Sequence, residues 1–315
     1  MRLFGVLLSF FFSSLAFSQS YPSKPVKLIV PFPAGSATDQ VARLLGAQLQ
    51  EALKQPFVVE NKPGAQGMIA AEGVAKSPPD GYTLMVSTNT PQAAALSLFK
   101  KVPYDPVKDF EPIARLGTIS FMLMVRRDFP AKNLKEFLEH VRSQPGKHAC
   151  GYGSSGSQVA QSMLRSMGKL DFADIPYKGI PQAVTDLLGG TLGCAFVDMA
   201  NALGQLKGGK LRGLGVTSEK RTTLAADVPA IAEELKGYEL IAWFALMAPA
   251  NTPKDIVQKL YDTTNTGLSK LETKEKFAGI GTDVAPMNPQ QLAGFIKSEI
   301  SKWATLVKAA GIQPE

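Results

Sequence analysis

The chain has 315 residues, 45% of them hydrophobic, and a formal charge of +7 from 34 Lys and Arg against 27 Asp and Glu. The charge is spread, with no run of four basic residues and no aromatics alternating with them, which argues against a nucleic-acid surface. Two cysteines and two histidines are too few for a disulfide scaffold or for most zinc sites, and no H-E-x-x-H or C-x-x-C occurs, so neither a metal nor a cofactor is expected.

The N-terminus reads as an export signal. Met1-Arg2 is a short basic start, LFGVLLSFFF (3–12) is apolar, and Ala16-Phe17-Ser18 supplies small residues for cleavage. The apolar stretch falls short of the roughly 20 residues needed to span a bilayer. The expectation is a signal peptide over 1–18, cut near Ser18, and a periplasmic mature chain with no cysteine there to carry a lipid. The remaining length, about 297 residues, suits two domains.

LIVPFPAGSATD (28–39) is a strand that stops at prolines, passes through small residues and enters a helix. Val41, Leu44, Leu45, Leu49 and Leu53 lie on one face of that helix. Such a strand–loop–helix start offers backbone N–H groups to an anion. PFVVE (56–60) is a strand, NKPGAQG (61–67) a turn, 68–76 a helix and YTLMVS (82–87) a strand before TNTPQAA opens another helix. The segment 133–143 is a helix with Leu134, Phe137, Leu138 and Val141 on its apolar face and His140 on the polar one. Strand CGYGS (150–154), a helix from about Ser157, strand DIPY (174–177), helix PQAVTDLL (181–188) and strand CAFVD (194–198) follow. YELIAWFALMAP (238–249) is strand-like, and 252–268 opens a final helical block. This alternation predicts an α/β fold with parallel sheets covered on both faces. LIVPFPAGSATD and CGYGSSGSQV echo each other, which suggests two α/β lobes with a ligand between them.

Neither glycine-containing loop is a nucleotide motif, since no G-K-[ST] and no G-x-G-x-x-G follows either strand. A hydrolase elbow would need glycine where Tyr152 or Ser157 stands, and only His140 and His148 could serve a triad. Asp39, Asp186 and Asp198 have local explanations in a first helical turn, a helix and a strand end that caps the next helix. Residues 34–38 and 153–157 include no Lys or Arg. Backbone N–H groups and hydroxyls there suit reversible capture of a carboxylate better than catalysis.

YPSKPVKLIVPFPAGSATDQVARLL and QPFVVENKPGAQGMIAAEGVAKSPPDGYTLMV resemble the solute-binding proteins of the tripartite tricarboxylate transporters, the Bug/TctC family. VPYDPVKDFEPIARL (102–116), IPYKGIPQAVTDLLGG (175–190), LRGLGVTSEKR (211–221) and WFALMAPANTPKDIV (243–257) extend the likeness over the mature chain. It implies a non-enzymatic, type II-like periplasmic binding protein, two lobes joined by a hinge, with a ligand cleft between them. Lobe 1 is expected over 21–122 and 243–315, and lobe 2 over 123–242. The implied ligand is a small mono-, di- or aromatic carboxylate, passed to membrane permease subunits by a monomer. A sensor component presenting the ligand to a receptor kinase is the alternative.

Carried onto this sequence, the site comprises Phe32, Ala34, Gly35, Ser36, Ala37, Thr38 and Asp39 in one lobe and Ser154, Ser155, Gly156 and Ser157 in the other. Thr88, Asn89, Tyr177, Lys178 and Asp198 line the remainder. The N–H groups of 35–38 and the hydroxyls of Ser154 and Ser157 are expected to grip the carboxylate, with Asp39 fixing its helix rather than touching the ligand. PFPAGSATD departs from the family's PF-x-P-G-G-x-x-D at Ala34 and Ser36, and the second loop is shorter than usual. Cys150 and Cys194 fall on neighbouring strands, four residues before Ser154 and Asp198, where two packed thiols are expected because adjacent parallel strands suit a bridge poorly.

Overall fold

The computed structural model describes residues 21–315. The expected signal segment lies outside them. β1 (Val26–Val30) buries every residue except Lys27 and feeds, through the PFPAG loop, into α1 (Ala37–Leu53). Val41, Leu45 and Leu49 pack that helix inward, and Lys54 ends it in the left-handed region at φ 57. β2 (Phe57–Asn61), α2 (Met68–Ala75) and β3 (Thr83–Thr88) follow, with β2 and β3 pairing parallel to β1 on its two sides. A wide-turned helical segment, Thr90–Ala94, leads into the short α3 (Ala95–Leu98).

The same plan recurs after β4 (Phe110–Arg126) and α4 (Leu134–Ser143). β5 (Ala149–Tyr152), α5 (Ser155–Gly168), β6 (Ala173–Pro176), α6 (Ile180–Gly189), β7 (Cys194–Asp198), α7 (Met199–Gly208) and β8 (Leu211–Val216) succeed one another. The chain returns through β9 (Ile241–Pro249) and ends with α8 (Lys254–Ser269), α9 (Leu271–Gly279), β10 (Thr282–Met287) and α10 (Pro289–Ala309). No described helix is long and apolar enough to cross a membrane.

The strand order is β2-β1-β3-β9-β4-β7-β5-β6, with β8 and β10 also on β4. β4 is 17 residues long and serves two sets of partners. Residues 110–120 pair with β9, and 115–119 also with β10. Residues 121–126 pair with β7 and β8. The pairing therefore changes between Ser120 and Phe121. Each triplet, β2-β1-β3 and β6-β5-β7, is parallel as expected, but every pairing of β4 and β9 is antiparallel. The all-parallel expectation fails there because a strand that crosses out and one that returns beside it must run in opposite directions.

The register places Cys150 directly opposite Cys194, with 4.6 Å between the α carbons, and the two sulfurs are bonded. The expected pair of packed thiols is corrected. Side-by-side positions on one face brought the α carbons within the 4.4–6.8 Å that a disulfide spans. Thiol titration of unfolded, unreduced protein should find no free thiol, and two after reduction.

Two indoles share one buried acid in the core. Trp243 of β9 and Trp303 of α10 each donate Nε1–H to Glu299 Oε2, at 2.8 and 3.0 Å. All three side chains are buried. Trp243 lies between Ala242 and Phe244, which face a cavity.

Candidate functional site

The cavity lies where β4 changes partners and encloses about 400 Å³ of empty space, counted out to its open mouth. Three cross-strand pairs build much of its wall: Thr88 opposite Phe244, Ile119 opposite Ala242, and Phe121 opposite Asp198. The starts of four helices complete it.

At the first helix start, Ser36 caps α1 and its Oγ accepts from Asp39 N–H at 3.3 Å. The Ser36 N–H is turned back to Pro33 O (3.1 Å) and the Gly35 N–H to Asp39 Oδ2 (2.9 Å). Of the four N–H groups expected to face a ligand, those of 35 and 36 are thus spent inside the loop. The N–H groups of Ala37 and Thr38 have no partner among the described residues. Asp39 also accepts two hydrogen bonds from Arg43, each 3.0 Å, and one from Asn61 Nδ2 at 2.9 Å. Burial works to raise its pKa, but these hydrogen bonds outweigh burial and hold it below the usual carboxylate range. Asp39 therefore ties the loop to the helix and stands behind the wall.

Ser154 caps α5, which begins two residues earlier than expected because Ser155 and Gly156 already take helical geometry behind that cap. The Ser157 hydroxyl accepts from Gly153 N–H and Ser154 N–H, both 3.0 Å, and donates to Ser154 O at 3.0 Å. It is saturated, so the expected grip by this hydroxyl is replaced by a role in shaping the loop. Ser155 is fully buried, and its Oγ meets Asn89 Nδ2 (3.1 Å) and Thr90 Oγ1 (2.8 Å) from the other side of the cleft. The N–H groups of Ser155 and Gly156 lack partners among the described residues.

Ile180, first residue of α6, and Asp198, cap of α7, close the ring. Asp198 Oδ1 accepts from Asn201 N–H and Nδ2, at 3.0 and 2.9 Å. Burial pushes its pKa up, with the Asn201 hydrogen bonds opposing. Helix N-termini carry partial positive charge, and here the starts of α1, α5, α6 and α7 meet at one cavity. Among the described residues no Lys, Arg or His lines it, and Asp198 is the one ionisable group in its wall. No cluster of three or more metal-ligating side chains occurs among the described residues.

Among the residues singled out from sequence, Phe32, Ser36, Ala37, Thr38, Thr88, Asn89, Ser154 and Asp198 line the cavity. Ala34 and Gly35 are exposed on the outer side of their loop, and Asp39, Ser155, Gly156 and Ser157 sit behind the wall. The Tyr177 hydroxyl donates to Asp186 at 2.7 Å, away from the cavity, and Lys178 points to solvent. Gly153, in the loop 153–157 read as suited to a carboxylate, lines the cavity too, whereas sequence reading missed Thr90, Ile119, Phe121, Ile180, Ala242 and Phe244. Thr90 lies inside TNTPQAA, already read as opening a helix, and Ile180 stands one residue before the helix read over 181–188. Phe121 and Phe244 are ordinary strand residues, brought together by the pairing of distant segments.

The family model of the tripartite tricarboxylate transporter family receptor, TctC, matches residues 41–312. Protein BugT of Bordetella pertussis is 36% identical over 302 residues, covering 93% of this chain and 91% of its own. The solved structure of R. palustris Rpa4515 with adipate superposes with a TM-score of 0.92 at 31% identity, over 94% of this chain and 100% of that one. The periplasmic binding protein BugD gives 0.89 at 35% identity, over 94% and 100%. These are binding proteins of the same two-lobe fold, not enzymes. The family match takes in most of the described chain and every cavity-lining residue except Phe32, Ser36, Ala37 and Thr38, and the chain belongs to the TctC family of tripartite tricarboxylate transporter receptors.

Proposed function

We propose that this protein captures a small carboxylate in the cavity and delivers it to the membrane permease subunits of a tripartite tricarboxylate transporter. The observation that carries the reading is the meeting of four helix N-termini at a cavity with no basic side chain among the described residues. Fixed dipoles and unpartnered N–H groups hold an anion there without a strong ion pair to slow its release. The similar Rpa4515 was solved with adipate, a carboxylate. Lobe 1 comprises 21–122 and 243–315 and lobe 2 comprises 123–242, a division supported by the change of partners at Ser120 and Phe121. Removal of 1–18 on export gives a monomeric periplasmic receptor.

The test is a melting screen of the 19–315 protein against carboxylates and their amides at neutral pH. A true ligand at one hundred times its dissociation constant adds about 2.7 kcal/mol. That is an upward shift of about 5 °C or more for a chain of this length. The amide of the same acid should shift nothing, because it lacks the charge that the helix starts favour. An amide that stabilises as well as its acid would refute the reading.

A further inference from the structure

Pro33, in the loop after β1, and Gly179, the cap of α6, approach each other across the mouth of the cavity. A β carbon built on Gly179 falls 2.7 Å from Pro33 Cδ and 3.0 Å from its Cγ. Side chains do not tolerate the shorter distance, and a pyrrolidine ring cannot swing aside. The backbone of Gly179, at φ −173 and ψ 164, is extended and open to any residue. Of the three atoms nearest that β carbon, the one from its own lobe is the tip of Gln182, 3.3 Å away on a flexible side chain. The glycine is therefore demanded by the opposite lobe. Gly35 continues the contact, since a β carbon placed on it would lie 4.0 Å from Pro181 Cγ.

Behind this seam lie the polar links between the lobes. The buried Ser155 hydroxyl meets Asn89 and Thr90, and Gln66 Nε2 donates to Gln158 Oε1 at 3.0 Å. Gln66 sits in a stretch, 65–67, with successive φ values of 44, 49 and 91. Such strain persists only where the surroundings hold it.

We propose that Gly179 is a positioning residue for lobe closure: its missing side chain lets the Pro33 loop seat on the start of α6, which brings the Ser155 hydroxyl into reach of Asn89 and Thr90. Alanine at 179 wedges the mouth without altering the cavity wall. Affinity falls by the factor through which the closed population falls. The affinity arm of the test rests on the carboxylate reading above; a second arm does not.

In the first arm, Gly179→Ala weakens adipate binding at least tenfold while the unliganded melting point stays within about 2 °C of wild type. Pro33→Ala, which removes the opposing ring atoms, restores binding in the double variant to within threefold. In the second arm, Thr90→Cys with Ser155→Cys replaces two side chains whose oxygens are 2.8 Å apart, so a disulfide forms only when the lobes meet. Its rate of formation under diamide, without any ligand, falls at least tenfold with Gly179→Ala and recovers with Pro33→Ala. An unchanged cross-linking rate, or a loss that Pro33→Ala does not repair, overturns the closure role. Cross-linking that behaves as described, in a protein that binds no carboxylate, removes the proposed function and leaves the closure role standing.

Discussion

Asp39→Ala is expected to weaken carboxylate binding by about a hundredfold or more, without removing any atom from the cavity wall. The carboxylate holds Gly35 N–H, both arms of Arg43 and Asn61 Nδ2, and Asn61 in turn donates to Phe32 O at 2.9 Å. Losing it frees the loop that presents the Ala37 and Thr38 N–H groups, and leaves two part-buried hydrogen bonds, from Gly35 N–H and Asn61 Nδ2, without their acceptor at about 1 kcal/mol each. The Arg43 side chain is half exposed, so its share is small. A fall in stability of about 2–3 kcal/mol is expected at pH 7. The pH dependence has a definite sign. The pKa of Asp39 is lowered on folding, so its contribution is present above the unfolded value of about 3.9 and fades as pH drops through the folded one. Urea melts between pH 3 and 7 should show the gap between wild type and variant widest at neutral pH and closing in acid. A constant gap would mean that the charge of Asp39 contributes nothing.

Glu299→Ala should be the most destabilising single change among the described polar residues, at about 3–5 kcal/mol. It strands the indole N–H groups of Trp243 and Trp303 together, both in the dry core, and opens a void between β9 and α10. Glu299→Gln keeps a carbonyl oxygen for both donors and should lose only about 1 kcal/mol. Calorimetry distinguishes the two, and equal losses would show that side-chain charge matters more than the acceptor. Because the neighbours of Trp243 face the cavity, Glu299→Ala should also broaden the fluorescence emission and blunt any change on ligand binding.

Elements whose character is local were legible in the chain. LIVPFPAGSATD reads as strand, loop and capped helix because its apolar run, its prolines and Ser36 each act within a few residues. CAFVD matches β7 residue for residue, and the helix over 133–143 buries the four residues of its apolar face. What could not be read was pairing across distance. β8 and β10 carry mixed sequences whose strand character depends on lying against β4, and neither reads as a strand by itself. The aromatic wall of the cavity has the same origin: Phe244 meets Thr88 only through the register of β9 on β3. Hydrogen-bond saturation is also invisible in a motif. Ser154 and Ser157 look interchangeable in SSGS, yet one caps α5 at the cavity edge and the other spends its hydroxyl on backbone behind it. Tyr177 and Lys178 sit in a matching motif, but Asp186 claims the tyrosine and solvent the lysine.

The bond between Cys150 and Cys194, 44 residues apart in sequence, has a further consequence if the chain is exposed to proteases in the proposed periplasmic location. The tied segment contains α5, β6 and α6, and so the helix starts at Ser154 and Ile180. Its connecting turns, such as those near Lys169 and Lys178, offer basic residues to trypsin-like enzymes. A single cut at either turn divides the backbone but releases nothing. Both fragments stay on neighbouring strands, held by a covalent bond as well as by the sheet. Nicked molecules should therefore run as intact chains on a gel until a reductant is added, and should still fill half of the cleft with correctly placed helix ends. A cut that would leave an untied chain as two separate fragments becomes, here, a scar that the molecule can carry.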